Sequence, residues 1–131
     1  MNDEQNQNAS GASRLSVGFD HTTMDKVTMK RVYISGPMTG LPEFNFPAFH
    51  YAALELRRCG YEVENPAEIN AETNGDWHIY LRADIKALCD CDILALLPGW
   101  EGSNGAHLEL HIAHRLGINV TQVEKLVGSN V

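Results

Sequence analysis

The chain has 131 residues, 44% of them hydrophobic and 21% charged, which suits one folded domain with its own core and excludes collagen-like, coiled-coil and wholly disordered classes. Ten Lys and Arg against 17 Asp and Glu give a net charge of −7, the wrong sign for a protein held to nucleic acid by counterion release, so a small-molecule ligand is expected and nucleic acid is not. No apolar run approaches the ~20 residues of a membrane span or forms a secretory leader, so neither membrane insertion nor export is expected, and the three cysteines (Cys59, Cys89, Cys91) are read as reduced thiols of a cytoplasmic protein.

Residues 1–28 are rich in Asn, Gln, Ser, Gly and Asp without an apolar period, the composition expected of a disordered N-terminal tail, with Met24 or Met29 read as a candidate start. The tail holds four acids and two bases, leaving 13 acids and eight bases in the rest, so the folded part is itself acidic. The domain is expected over 30–126.

Arg31–Ser35 is a β-rich run ended by Gly36-Pro37. After a loop, Pro47–Cys59 has apolar residues at helical spacing, with Asn45 or Phe46 near its cap and Gly60 as its stop. Tyr61–Asn65 alternates and stops at Pro66. Trp77–Cys89 places Trp77, Tyr80, Leu81, Asp84, Ile85 and Leu88 at helical intervals, and Asp92–Leu97 is a near-continuous apolar run of the kind found in central parallel strands. Gly105–Leu116 reads as a helix stopped by Gly117, and Ile118–Val123 as a last strand. This βαβαβαβ order predicts an α/β fold: a single-domain, Rossmann/flavodoxin-like parallel sheet of four to five strands flanked by helices. Ligands of such sheets bind outside the carboxyl ends of the strands, where three loops meet: Ser35–Phe46, Asn65–Asp76 and Pro98–Asn104.

In the first loop, Ser35-Gly-Pro-Met-Thr-Gly40 lets the backbone approach a ligand, making Ser35, Gly36, Met38 and Gly40 candidate contacts, although a plain tight turn accounts for the same residues. Phe44 and Phe46 follow in a Pro-bounded stretch, where exposed aromatics have little packing reason; they cap a planar ligand or bury at a subunit interface. In the third loop, Trp100, Ser103 and Gly105 precede a helix start whose N–H groups suit an anion, and the helix field is expected to keep Glu109 ionised as a nucleophile. The plainer alternative is a first-turn acid favoured by the dipole. Asp84, on a mostly apolar helix face, needs a partner or a role. His107, His111 and His114 share helical spacing, and His107-x-Glu109 imitates half of a zinc deaminase signature, but no cysteine follows it. No metal and no cofactor are expected; a solvated or interface stripe is the reading of these histidines.

Tyr33-x-x-Gly36, Asp84 with Asp92 eight residues on, and Ser103-x-Gly105-x-x-x-Glu109 together resemble the nucleoside 2-deoxyribosyltransferase superfamily, which includes the nucleoside 5′-monophosphate N-glycosidases. The wording Tyr-Ile-Ser-Gly-Pro-Met-Thr-Gly with Leu-Pro-Gly-Trp-Glu-Gly-Ser is most similar to a poorly characterised phage and prophage branch, over about residues 31–121. The resemblance implies N-glycosidic bond cleavage or sugar transfer on a nucleoside or its 5′-monophosphate, in a homodimer or higher homo-oligomer. Glu109 is then the nucleophile that forms a glycosyl-enzyme intermediate, Asp84 the general acid on the leaving base, and Tyr33 the phenol that holds Glu109. Ser103 and the amides around Gly36 and Gly105 receive the sugar or its phosphate, and Asp92 organises the strand start. Pro37-Met38-Thr39 stands where monophosphate hydrolases carry an arginine, so Arg82 or a partner's arginine is the substitute. A non-catalytic nucleotide-binding or sensing module on the same fold is the alternative; a phosphoribohydrolase of the cytokinin-activating type is disfavoured, because Leu97–Glu109 only loosely echoes that motif.

Overall fold

The structure is a computed structural model describing residues 29–71 and 76–128; the expected tail, 1–28, lies outside the described residues. Its first strand, β1 (Arg31–Ser35), carries Val, Tyr and Ile, which favour a pleated strand, and all but Arg31 are buried. Alternation splits these side chains between two cores. Val32 and Ile34 join one cluster and Tyr33 the other.

Three further strands pair in parallel: β2 (Glu62–Glu64), β3 (Ile93–Leu96) and β4 (Asn119–Gln122), in the order β2-β1-β3-β4. That is the flavodoxin-type order, whose direction reverses between β1 and β3. The register Val32↔Ile93 to Ser35↔Leu96 aligns the carboxyl ends of the two strands on either side of the switch point. Arg31 N–H and Asp92 tie the opposite ends together, through Oδ2 at 2.9 Å and a return bond from Asp92 N to Arg31 O at 2.8 Å.

On one face lie α1 (Phe46–Arg58), α2 (Pro66–Ala71) and α5 (Val123–Val127), whose Phe49, Ala52, Ala53, Leu56, Ala67 and Val123 pack on Val32, Ile34, Ala95 and Leu97. On the other lie α3 (Trp77–Cys89) and α4 (Asn104–Leu116), which supply Leu88 and Ala113 to Tyr33, Leu94 and Leu96. The expected parallel α/β sheet is present with four strands among the described residues. No helix among them is long and apolar enough to cross a membrane.

Two short helices depart from the sequence expectation. Pro66 ends the preceding strand, but it also begins α2, where a missing N–H costs nothing, and the Asn65 side chain accepts from Ala67 N at 3.0 Å to cap the turn. The final strand stops at Gln122, and Val123 opens α5 instead of closing β4. Within the first loop Pro42–Asn45 forms a 3-10 turn in which Glu43, Phe44 and Asn45 all adopt left-handed backbone, held by Asn45 Nδ2 donating to Pro37 O at 2.9 Å.

Candidate active site

Helix α4 starts at Ser103, whose Oγ accepts from Ala106 N at 3.1 Å, and it stops at Gly117 in left-handed conformation. Ala106, Glu109 and Ala113, three and four residues apart, form its buried stripe, so Glu109 points at the sheet rather than at water. There it meets the two inward-facing side chains of β1. Tyr33 OH donates to Glu109 Oε2 at 2.8 Å and Ser35 Oγ donates to Oε1 at 2.6 Å, all three residues being buried. Strand alternation explains the pair, since residues two apart on β1 share a face.

Burial pushes the Glu109 carboxyl above its ordinary pKa, and the bonds from Ser35 and then Tyr33 pull it back. The expected ionisation by the helix field needs correction on this point. Glu109 is the sixth residue of α4, beyond the first turn where that field is felt, and the two hydroxyls favour its anion. Burial and the nearby Glu109 charge push the Tyr33 phenol well up, so it remains a protonated donor.

Asp84 sits on the buried side of α3, a helix capped by Asp76 accepting from His78 N and Ile79 N. It is only 8% exposed, and its Oδ1 is buried with no hydrogen-bond partner. Burial, with the Glu109 charge second, raises its pKa from 3.8 to about 8, so Asp84 holds its proton at neutral pH. Two carboxyls thus share one site in different states: one supplied with two donors, the other kept neutral by its surroundings.

Both line a cavity of about 500 Å³ at the carboxyl end of β1. Ser35, Gly36, Met38, Phe44, Phe46, Ser103 and Gly105 reach its wall, whereas Tyr33 is not among the lining residues and adjoins the site through its bond to Glu109. Several expected contacts differ in detail. The hydroxyl of Ser35 donates to Glu109 and that of Ser103 accepts at the helix cap, so each already has one protein partner. Phe46 is partly buried against the α1 core rather than exposed, whereas Phe44 is 63% exposed. Gly40 and Trp100 are not among the lining residues; Trp100 packs under the sheet and against His107, with ring centroids 5.3 Å apart. Arg82 is exposed and also absent from the wall, as are all Lys, Arg and His among the described residues.

Gly36 is at the wall because nothing larger fits: an added Cβ would stand 2.8 Å from Leu97 Cβ. Sequence reasoning placed Trp77, Tyr80 and Leu81 on Asp84's helix face but not in the site, and their helical spacing with Asp84 was the available signal. It missed Asn70, which reaches the cavity from α2, within the segment read as loop. His107 Nε2 lies 2.8 Å from Glu101 O, His111 and His114 are exposed, and no metal-ligating cluster occurs among the described residues. Cys91 is buried with its thiol against Ala87 O, and burial pushes that thiol up to about 12.

The solved structures similar to this fold include the following two. A conserved protein from Enterococcus faecalis V583 superposes with a TM-score of 0.54 at 22% identity, over 71% of this chain and 62% of that one. The CMP N-glycosidase BcmB of Clostridium botulinum gives a TM-score of 0.48 at 26% identity, over 70% of this chain and 66% of its own. The chain thus spans less than two thirds of the first relative's length. No curated protein matches. A family model covers residues 30–122, from the first strand to the end of the last, and through it the chain belongs to the family described as Domain of unknown function (DUF4406).

Proposed function

We propose that this chain breaks the N-glycosidic bond of a nucleoside or nucleoside 5′-monophosphate, as a member of the nucleoside 2-deoxyribosyltransferase-like superfamily. One observation carries the reading: an anchored carboxylate, Glu109, and a proton-bearing carboxyl, Asp84, open into one cavity. Glu109 attacks the anomeric carbon of the sugar as the bond to the base nitrogen breaks, and Asp84 gives its proton to the departing base. The product of this half-reaction is a glycosyl ester on Glu109. Water, or the nitrogen of a second base, then attacks the same carbon, returns its proton to Asp84 and frees Glu109. Phe44, Phe46, Trp77 and Tyr80 give the base apolar and aromatic wall.

The chain and Glu109→Gln are incubated with nucleosides and their 5′-monophosphates, with and without an acceptor base, and released or exchanged base is read by chromatography. Base release is expected from the unmodified chain and a loss of about 10³-fold or more in the variant, with melting temperature retained. Equal turnover in the two would remove Glu109 from the chemistry. A second reading, a non-catalytic nucleotide-binding module, has one observation on its side: burial raises the Glu109 pKa and so works against an anionic nucleophile. Calorimetric binding of a nucleoside with no product over hours would establish that reading instead.

A further inference from the structure

Two side-chain oxygens among the described residues are buried without a hydrogen-bond partner, Asp84 Oδ1 and Asn70 Oδ1, and both residues line the cavity. The proton on Asp84 gives the first of them a role. Nothing in the reaction above uses the second.

Asn70 Nδ2 lies 3.9 Å from Met38 Sδ. A thioether accepts hydrogen bonds and cannot donate them, so the amide nitrogen faces the sulfur and the carbonyl oxygen is the bare atom. Helix α2 packs on α3. Asn70 therefore shares the cavity wall with Trp77, Tyr80 and Asp84 of the helix it packs on, beside the acid from which a leaving base would receive its proton. The torsion that turns an Asn carboxamide is soft, so a small rotation aims Oδ1 at an occupant. A buried acceptor with no protein partner, in the wall of a cavity, is suited to a donor brought by the ligand.

We propose that Asn70 is a specificity-determining residue: its Oδ1 accepts a hydrogen bond from the exocyclic amine of the nucleobase. The inference rests on the nucleoside reading of the site, but it concerns recognition and is testable whether or not the bond is then broken.

The test is titration calorimetry of the full chain and of Asn70→Ala with two matched pairs, adenosine against inosine and cytidine against uridine, each pair exchanging an amine for a carbonyl. The unmodified chain is expected to bind the amino member of at least one pair about 10-fold tighter, and Asn70→Ala to lose that preference by weakening the amino member alone. Asn70→Asp keeps an acceptor at the same place and is expected to keep the preference. Asn70→Ser removes the acceptor's reach with less lost volume and serves if the alanine variant does not fold. Equal weakening of both members would assign Asn70 to the sugar or to structure and overturn the proposal, as would an unmodified chain without an amine preference. The same four are titrated as 5′-monophosphates, and failure of the unmodified chain to bind any of the eight would overturn the nucleoside reading itself, and this inference with it.

Discussion

Replacing Asp84 by Asn should make the protein more stable at alkaline pH, and by an amount that grows with pH. In the unfolded chain this carboxyl titrates near 3.8, and in the fold near 8. A group whose pKa is raised by folding binds more protons in the native state, so stability falls as pH rises between the two values. Below pH 4 the acid is protonated in both states and costs nothing; above pH 8 the fold must hold a buried anion beside Glu109. Four pH units at about 1.4 kcal/mol each correspond to roughly 5 kcal/mol. Asn has nearly the same shape and no charge to bury. Even half of that value, about 2–3 kcal/mol, corresponds to roughly 10 °C in melting temperature for a domain of this size. Thermal melts of both forms at pH 5 and pH 9 are expected to show a gap that widens by at least that much in favour of Asp84→Asn. A gap independent of pH would mean that Asp84 is ionised throughout, and the assignment of a proton to it would be wrong.

Tyr33→Phe removes one of the two donors to Glu109, so the carboxyl pKa rises further and the acidic limb of the proposed base release against pH is expected to move to higher pH. A hydrogen bond to a charged group of about 1.5–3 kcal/mol corresponds to about one to two pH units, and an unmoved limb would show that the phenol does not hold the reactive anion. Gly36→Ala brings a methyl to 2.8 Å from Leu97 Cβ, where the surroundings are core, and should cost about 1–3 kcal/mol in urea unfolding; an unchanged midpoint would show that β1 and β3 separate more easily than their register implies.

The large elements were legible because each announces itself by period and stop. β1, α1, α3, β3 and α4 lie within a residue or two of where apolar spacing, Gly60, Gly117 and Pro98 put them. The two helices that escaped are of six and five residues, too short to show a period of 3.6, and each follows a strand signal that masks its start. Pro66 is the sharper case. As a residue without an N–H it ends a strand and begins a helix equally well, and what decides is the Asn65 cap, a tertiary fact as much as a local one.

In the site, Glu109 and Asp84 stood out by their helix positions and Tyr33 by the family resemblance, and the three lie together; the duties of the hydroxyls were not legible. A serine at a strand end reads as a ligand contact, yet Ser35 spends its hydroxyl on Glu109; Trp100 reads as loop and therefore as ligand wall, yet it turns under the sheet to meet His107. The deciding constraint lies in the pleat of β1. Because residues two apart share a face, any sequence that aims Tyr33 at Glu109 also aims position 35 there, and a buried carboxylate with two oxygens gains from a second donor. An apolar residue at 35 would leave Oε1 bare in a dry environment and push the Glu109 pKa higher still, and a slip of one residue in β1 would turn both donors toward α1, where the core is apolar and no carboxylate waits. The alternation that builds the two cores is therefore the same feature that assembles the acid's support, and position 35, on the cavity wall, belongs to that support as well.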